Sequence, residues 1–199
     1  MSLQKTLPAE LPTSYGQFKI IAYKDARGEH VVLLKGDLTS LPENPLVRIH
    51  SQCITGDAFS SRRCDCGQQL ELSLNKISKE GGLLIYLQQE GRGIGLFNKM
   101  AAYHYQDQGL DTVEANTKLG FKDDDRDYAI AAEILKDLGI KSVRLLTNNP
   151  RKIKGLQQAG IIVSKSLPII IKSNPANAAY LFTKQKRLGH LLQIKLSTK

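Results

Sequence analysis

The stretch 142–164, "SVRLLTNNPRKIKGLQQAGIIVS", decides the fold class. It opens on one aliphatic, β-branched run, SVRLL, and closes on another, IIVS at 161–164. Between them the pattern predicts a helix from Pro150 to Ala159. Proline suits the first helical turn, because its missing N–H would have no partner there. Strand, helix and strand in this order make a β-α-β passage. Upstream, alternation and β-branching predict strands near 18–23 (FKIIAY), 30–35 (HVVLLK) and 45–50 (PLVRIH), joined by Gly, Asp and Pro turns. A helical pattern follows in "GQQLELSLNKISKEGG" (67–82), ended by its glycine pair, then a buried-looking strand LLIYL at 83–87 and the loop "QEGRGIGL". Helices are expected at 96–107, 113–119 and 127–138, the last closed by Gly139. The tail after 172 reads as a helix near 177–187 and a frayed basic end. The fold class is α/β in the mixed α+β sense: a single domain over 1–199, a mixed sheet with flanking helices and no strand order assigned. Residues from about 173 to 199 form its basic, partly helical tail.

The chain has 199 residues, 41% of them hydrophobic and 24% charged, which is ordinary for a globular protein with a real core. No apolar run approaches the roughly 20 residues a bilayer requires. "MSLQKTLPAELPTSYG" lacks the apolar middle of a signal peptide, so a cytoplasmic protein with reduced cysteines is expected. The net charge of +9 is uneven. Residues 1–137 hold 16 Lys/Arg and 19 Asp/Glu, whereas residues 138–199 hold 12 Lys/Arg and no acid. Such a field favours a polyanion, either nucleic acid or a phosphorylated small molecule, or serves as a solubilising face.

All three cysteines fall within "RIHSQCITGDAFSSRRCDCGQQL" (48–70), as Cys53, Cys64 and Cys66. Structural zinc sites usually present four ligands in two close pairs. Here the spacing is C-x10-C-x-C, and three thiolates leave one tetrahedral position for water, the pattern of a catalytic zinc. The set would carry a charge of −1, which Arg62 and Arg63 can offset. Two alternatives remain: three small buried hydrophobes, or a closed structural site with His50 as fourth ligand.

No G-x-x-x-x-G-K-[ST] loop is present. The glycines of "EGRGIGL" are spaced Gly91-x-Gly93-x-Gly95, which is not the dinucleotide fingerprint, yet a strand-to-helix turn of this kind can cradle an anion. "TNNPRKIKG" places Arg151 and Lys152 on a first helical turn, where cations oppose the helix dipole and a bound anion would account for them. "DDDRD" (123–127) is either an acidic N-cap through Asp125 or Asp127, or carboxylates orienting Arg126 toward a phosphate.

Taken together, "RIHSQCITGDAFSSRRCDCGQQLE", "QQEGRGIGLFNKMAAYHYQDQGLDTVEAN", "LGFKDDDRDY", "LLTNNPRK" and "NPANAAYLFTKQKRLGHLL" closely resemble GTP cyclohydrolase II. They occur in the family's order and span nearly everything from 45 to 192; "LPTSYGQF" extends the likeness toward the N-terminus. The resemblance implies a monofunctional form, because no butanone-phosphate synthase segment stands in front. It implies hydrolysis of GTP with opening of the guanine imidazole ring, the first step of riboflavin biosynthesis. The products would be 2,5-diamino-6-(5-phosphoribosylamino)pyrimidin-4(3H)-one, formate and diphosphate.

Position by position, Cys53, Cys64 and Cys66 match the zinc ligands, one Zn²⁺ per chain with water in the fourth place. Arg48, Ile49, His50, Ser51, Gln52, Gln69, Glu90, Gly91, Arg92, Thr112, Thr147 and Lys152 match the GTP-contacting positions. Asp124 matches a proton acceptor, Arg126 a nucleophile toward the α-phosphorus, and Tyr103 a tyrosine tied to hydrolysis at the ring. Mg²⁺ with the triphosphate and a homodimer are also implied; neither a membrane nor nucleic acid is expected as a partner. The family usually has Glu where this chain has Gln52, which keeps the shape and gives up the charge. Two rival readings stand beside the enzyme: a nucleic-acid-binding module using the basic third, and a GTP-binding regulatory relative without turnover.

Overall fold

The computed structural model describes residues 3–122, 124, 126–175, 177, 181–182 and 189. Asp123, Asp125 and most of the expected 177–187 helix with its basic end lie outside the described residues. The rest divides into two compact units interleaved along the chain, one from Met1–His50, Leu70–Gln88 and Asp127–Ile169, the other from Ser51–Gln69, Gln89–Arg126 and Ile170–Lys199.

The first unit is built on an eight-stranded mixed sheet. Its strands are β1 (Gln4–Lys5), β2 (Ala9–Thr13), β3 (Gly16–Asp25), β4 (Gly28–Lys35), β5 (Leu46–Ser51), β6 (Gly82–Leu87), β7 (Ser142–Leu146) and β8 (Ile162–Leu167). They run in the order β1-β3-β4-β6-β5-β7-β8, with β2 also on β3. The pairs β3/β4 and β4/β6 are antiparallel, while β5/β7 and β7/β8 are parallel. The mixed α+β class expected from the sequence is the one observed.

Local chemistry explains the turns and strand placement. Asp25 Oδ1 accepts the Arg27 and Gly28 amides at 2.8 and 3.1 Å, an Asx turn that joins β3 to β4. The central strand β6 is apolar on both faces: Leu83, Leu84, Ile85 and Leu87 are all buried, as a strand sandwiched in the core requires. Strand β8 carries Ser164, Lys165 and Ser166 and is mostly exposed, which suits an edge. The β-α-β passage appears as β7, a helix at Pro150–Gln158 and β8, with Ser142 opposite Ile162. A further helix at Ala129–Asp137 contributes Ile130, Ala131, Ile134 and Leu135 to the core beside Val143, Leu145 and Leu156. Burying one such large aliphatic chain is worth roughly 1.5–3 kcal/mol.

Two strands escaped the sequence reading. Strands β1 and β2 pair with different halves of β3, Gln4 with Lys24 and Ala9 with Ile20. Their composition, with Pro12 inside β2, looks like a loop, and proline is tolerated there because β2 has a free edge to present.

The second unit holds, in chain order with the helices already met, α1 (Ile54–Asp57), the start of α2 (Cys66–Glu80), α3 (Gly95–Asp107) and α4 (Thr112–Lys118); the sheet unit's helices are then α5 (Ala129–Asp137) and α6 (Pro150–Gln158). The "TGD" between the first and second cysteines forms, with Ile54, the single helical turn of α1. No helix among the described residues is long and apolar enough to cross a membrane.

Candidate active site

The cysteine loop is assembled by its own side chains. Asp57 Oδ2 accepts the Cys53 backbone N–H at 2.9 Å, which folds α1 back over the first cysteine. Cys64 and Cys66 follow at the start of α2. The three Sγ atoms lie within 4.8 Å of one another, and Cys53 and Cys64 are 3.7 Å apart. Zinc–sulfur bonds of about 2.3 Å in a tetrahedron place sulfurs about 3.8 Å apart, so this donor set fits that ion. No histidine or carboxylate joins the group among the described residues. His50, the rival fourth ligand, stacks on Tyr86 with ring centroids 5.4 Å apart.

Glycine at two positions makes the loop possible. A Cβ on Gly56 would sit 2.8 Å from Cys64 Sγ, and one on Gly67 would collide with the Gly56 carbonyl. The backbones of α1 and α2 therefore touch directly beneath the sulfurs.

The cation nearest the sulfurs is not the one expected. Arg62 is exposed, and Arg63 pairs with Asp107 at 2.7 Å and lies 4.3 Å over the Tyr103 ring. Lys99, buried on α3, instead donates to Cys53 Sγ at 3.2 Å, to Thr55 Oγ1 at 2.9 Å and to Glu90 Oε1 at 2.8 Å. Hydrogen bonds from the Cys64 and Cys66 thiols pull the Cys53 thiol well below the ordinary thiol range, with the Lys99 charge adding to the effect. The bond with Cys53 pushes Cys64 up correspondingly. Burial opposes the Lys99 charge, but Glu90 and Cys53 outweigh it and hold the ammonium above the usual lysine range. Burial raises the Tyr103 phenol, whose oxygen is 3.5 Å from Thr55 Oγ1, so it stays protonated at neutral pH.

The three cysteines, Arg63, Glu90, Lys99 and Tyr103 line one cleft. Of the residues matched from sequence, Ser51, Gln52, the three cysteines, Glu90, Gly91, Arg92, Tyr103, Thr112 and Arg126 line it. Gly91 and Arg92 adopt successive left-handed conformations, φ 62° and 63°. For arginine that is a strained choice, of the kind that concentrates at functional sites. Thr112 opens α4, which Asp111 and Glu114 cap reciprocally. Asp124 is buried, does not line the cleft, and grips Arg126 with both carboxylate oxygens, at 2.7 and 2.6 Å. Gln69 does not line the cleft; it donates to Asp65 Oδ2 at 2.5 Å.

The remaining matched positions belong to the sheet unit. Arg48 donates to the Leu146 carbonyl at 3.0 Å, and Lys152 to the Ile49 carbonyl at 2.7 Å. Thr147 Oγ1 accepts the Asn149 amide at 3.0 Å, and Asn149 in turn caps α6. Residues at 48–50, 147 and 152, about a hundred apart in sequence, thus meet at the ends of β5 and β7. The acidic N-cap read from "DDDRD" is not formed: the N-cap of α5 is Tyr128, and Asp127, one residue before it, accepts the Ala129 amide at 2.8 Å, so the helix begins two residues later than expected.

Sequence reasoning missed Lys99, Asp57 and Thr55. Lys99 had one legible signal, its place four residues before Tyr103 on the same helix face.

The GTP cyclohydrolase II family model matches residues 4–168. A GTP cyclohydrolase-2 from Proteus mirabilis (strain HI4320) is 53% identical over 195 residues, covering 96% of this chain and 98% of the relative. Riboflavin biosynthesis proteins RibBA are equally similar: 55% over 187 residues in Bacillus mycoides (strain KBAB4) and 51% over 193 in Bacillus subtilis (strain 168). The chain covers 92% and 96% of itself in these two matches but only 47% and 48% of the relatives, so it spans about half their length. With the family's pattern running through both units and three cysteines converged in one cleft, the chain belongs to the GTP cyclohydrolase II family.

Proposed function

We propose that this protein hydrolyses GTP, opening the guanine imidazole ring and releasing formate and diphosphate to leave 2,5-diamino-6-(5-phosphoribosylamino)pyrimidin-4(3H)-one. The observation that carries the reading is the convergence of Cys53, Cys64 and Cys66 in a cleft that also holds Glu90–Arg92, Thr112 and Arg126. The three thiols are a donor set that would hold Zn²⁺. When bound, zinc supplies the Lewis acidity that makes water nucleophilic near neutral pH.

The chain's own residues divide the remaining work. Tyr103, protonated and within reach of Thr55, is a donor at the ring end. Ser51 Oγ is buried with no hydrogen-bond partner among the described residues, which suits it to a polar atom of the substrate. Arg92 and Arg126 supply positive charge at the phosphate end, where the departing diphosphate gathers negative charge. Asp124 fixes the Arg126 fork in place. An arginine whose pKa exceeds about 12 is better suited to hold a phosphate than to attack one. Arg48, Ile49, His50, Gln52, Gln69, Thr147 and Lys152 complete the GTP contacts implied by the family. Mg²⁺ on the triphosphate, a homodimer and a cytoplasmic location are parts of the same proposal.

The test is product analysis by mass spectrometry after incubation with GTP and Mg²⁺, with and without a zinc chelator. Formate, diphosphate and the diaminopyrimidinone phosphate are all expected, and all should be lost on chelation. A zinc-replete chain that binds GTP and consumes none would overturn the reading in favour of a regulatory role.

A further inference from the structure

Lys99 lies on α3 with 8% of its surface exposed, a setting in which a lysine requires partners. An ammonium has three N–H donors and no acceptor. All three find acceptors: Cys53 Sγ at 3.2 Å, Thr55 Oγ1 at 2.9 Å and Glu90 Oε1 at 2.8 Å. Two of these acceptors belong to the cysteine loop and the third to the 90–93 turn. Glu90 completes the link from the other side. Its Oε2 accepts the Ile54 amide at 2.6 Å, and its Oε1 accepts the Gly91 amide at 2.9 Å. One buried ion pair therefore clamps the first cysteine to the strained Gly91–Arg92 turn.

Stability alone does not account for such a pair. Replacing a buried ion pair by apolar side chains of similar volume is often neutral or favourable, because both charges lose their hydration. The contact that an apolar replacement cannot reproduce is the N–H donated to sulfur.

We propose that Lys99 is a positioning residue of the metal centre, holding the Cys53 thiolate in place and offsetting part of the charge that three thiolates leave on a divalent ion. The inference rests on reading Cys53, Cys64 and Cys66 as that centre. A hydrogen bond to the sulfur draws electron density from it, so Cys53 donates less to the ion and the ion remains the stronger Lewis acid. Groups that touch a ligand rather than the metal tune metal sites in this way.

The experiment compares the full chain with Lys99→Met and Lys99→Gln. Zinc affinity is measured by competition with a chromophoric chelator, and the thiolate-to-cobalt charge-transfer band is recorded on the Co²⁺-loaded proteins. Lys99→Met is expected to weaken zinc binding by about 10–100-fold and to move the band to lower energy, because the sulfur lone pair is no longer stabilised. Lys99→Gln keeps a donor without the charge and should fall between Lys99→Met and the unmutated chain. A purely structural lysine would leave the band where it is. Unchanged affinity and an unmoved band in Lys99→Met overturn the proposal; if that variant does not fold, the same result in Lys99→Gln does so. An unmutated chain that binds neither zinc nor cobalt overturns the metal-centre reading itself, and this inference with it.

Discussion

Asp124 accepts the Arg126 backbone amide at 3.1 Å as well as both arms of its guanidinium. Burial opposes its charge, yet the Arg126 bonds prevail, with Arg92 nearby, and hold the carboxyl below the ordinary aspartate range. It is therefore ionised at neutral pH, with its oxygens occupied. That makes it a jig for Arg126 more than a base. Asp124→Asn keeps the shape but turns an amide N–H₂ toward a guanidinium that has only donors. We expect kcat/KM for GTP to fall about 100-fold, the scale of a misplaced reacting group, with zinc content unchanged. Activity close to that of the unmutated chain in steady-state assays would show that Arg126 orients without its partner. The C-x10-C-x-C spacing was legible because its members are close in sequence. The bond from Lys99 to that cluster was not, since the sulfur it meets is 46 residues away.

Among the elements, the contact of α1 with α2 is the tightest constraint on the site. Both helices present glycine where their backbones meet, and Cys64 Sγ lies directly over Gly56. Gly56→Ala would require the two segments to part. Overpacking of this sort costs about 1–3 kcal/mol, which here falls on the geometry of the sulfurs. The expected result is zinc affinity lowered about 10-fold or more, with a far-UV circular dichroism spectrum little changed because the sheet does not depend on this contact. Full zinc affinity in Gly56→Ala, by chelator competition, would show that the loop yields at no cost. A four-residue helix like α1 has no periodicity to read. It is held by backbone bonds from the Asp57 amide to the Cys53 carbonyl at 2.7 Å and from the Ala58 amide to the Ile54 carbonyl at 3.0 Å, and by the Asp57 carboxylate on the Cys53 amide.

At the scale of the whole molecule, the response to acid follows from groups buried in the fold. His30 is 1% exposed, accepts the Gln88 amide on Nδ1 at 3.1 Å and faces Asp25 from Nε2 at 3.5 Å. Burial lowers its pKa more than Asp25 raises it. The unfolded chain takes up that proton at about pH 6.5, and the folded chain resists it. Stability from this source is therefore complete above about pH 6.5 and is lost as pH falls toward the lower folded value. Asp25, Asp124 and Asp137 also have lowered pKa values, each with a cationic partner. Their contribution persists to about pH 4 and is lost below it. Urea midpoints of the metal-free chain should thus decline in two stages, and His30→Asn, which keeps an acceptor for the Gln88 amide, should remove the upper stage. A midpoint that stays level from pH 7 to 5 would contradict this account of His30.

What sequence by itself determined about this chain is local: the β-α-β passage at 142–164, the apolar strand β6, the helices that bracket it and the three clustered cysteines. Each rests on periodicity, turn chemistry or ligand spacing within a few dozen residues. The resemblance to the family's longer motifs supplied only an expectation of which residues would contact the substrate. Tertiary structure alone decided the strand order, the two strands on β3, the meeting of residues 48–50 with 147 and 152, and the choice of Lys99 over Arg62 and Arg63 as the cation at sulfur. Those outcomes depend on contacts between segments far apart in the chain, where hydrogen-bond geometry and burial select the partner, and neither leaves a periodic trace in sequence.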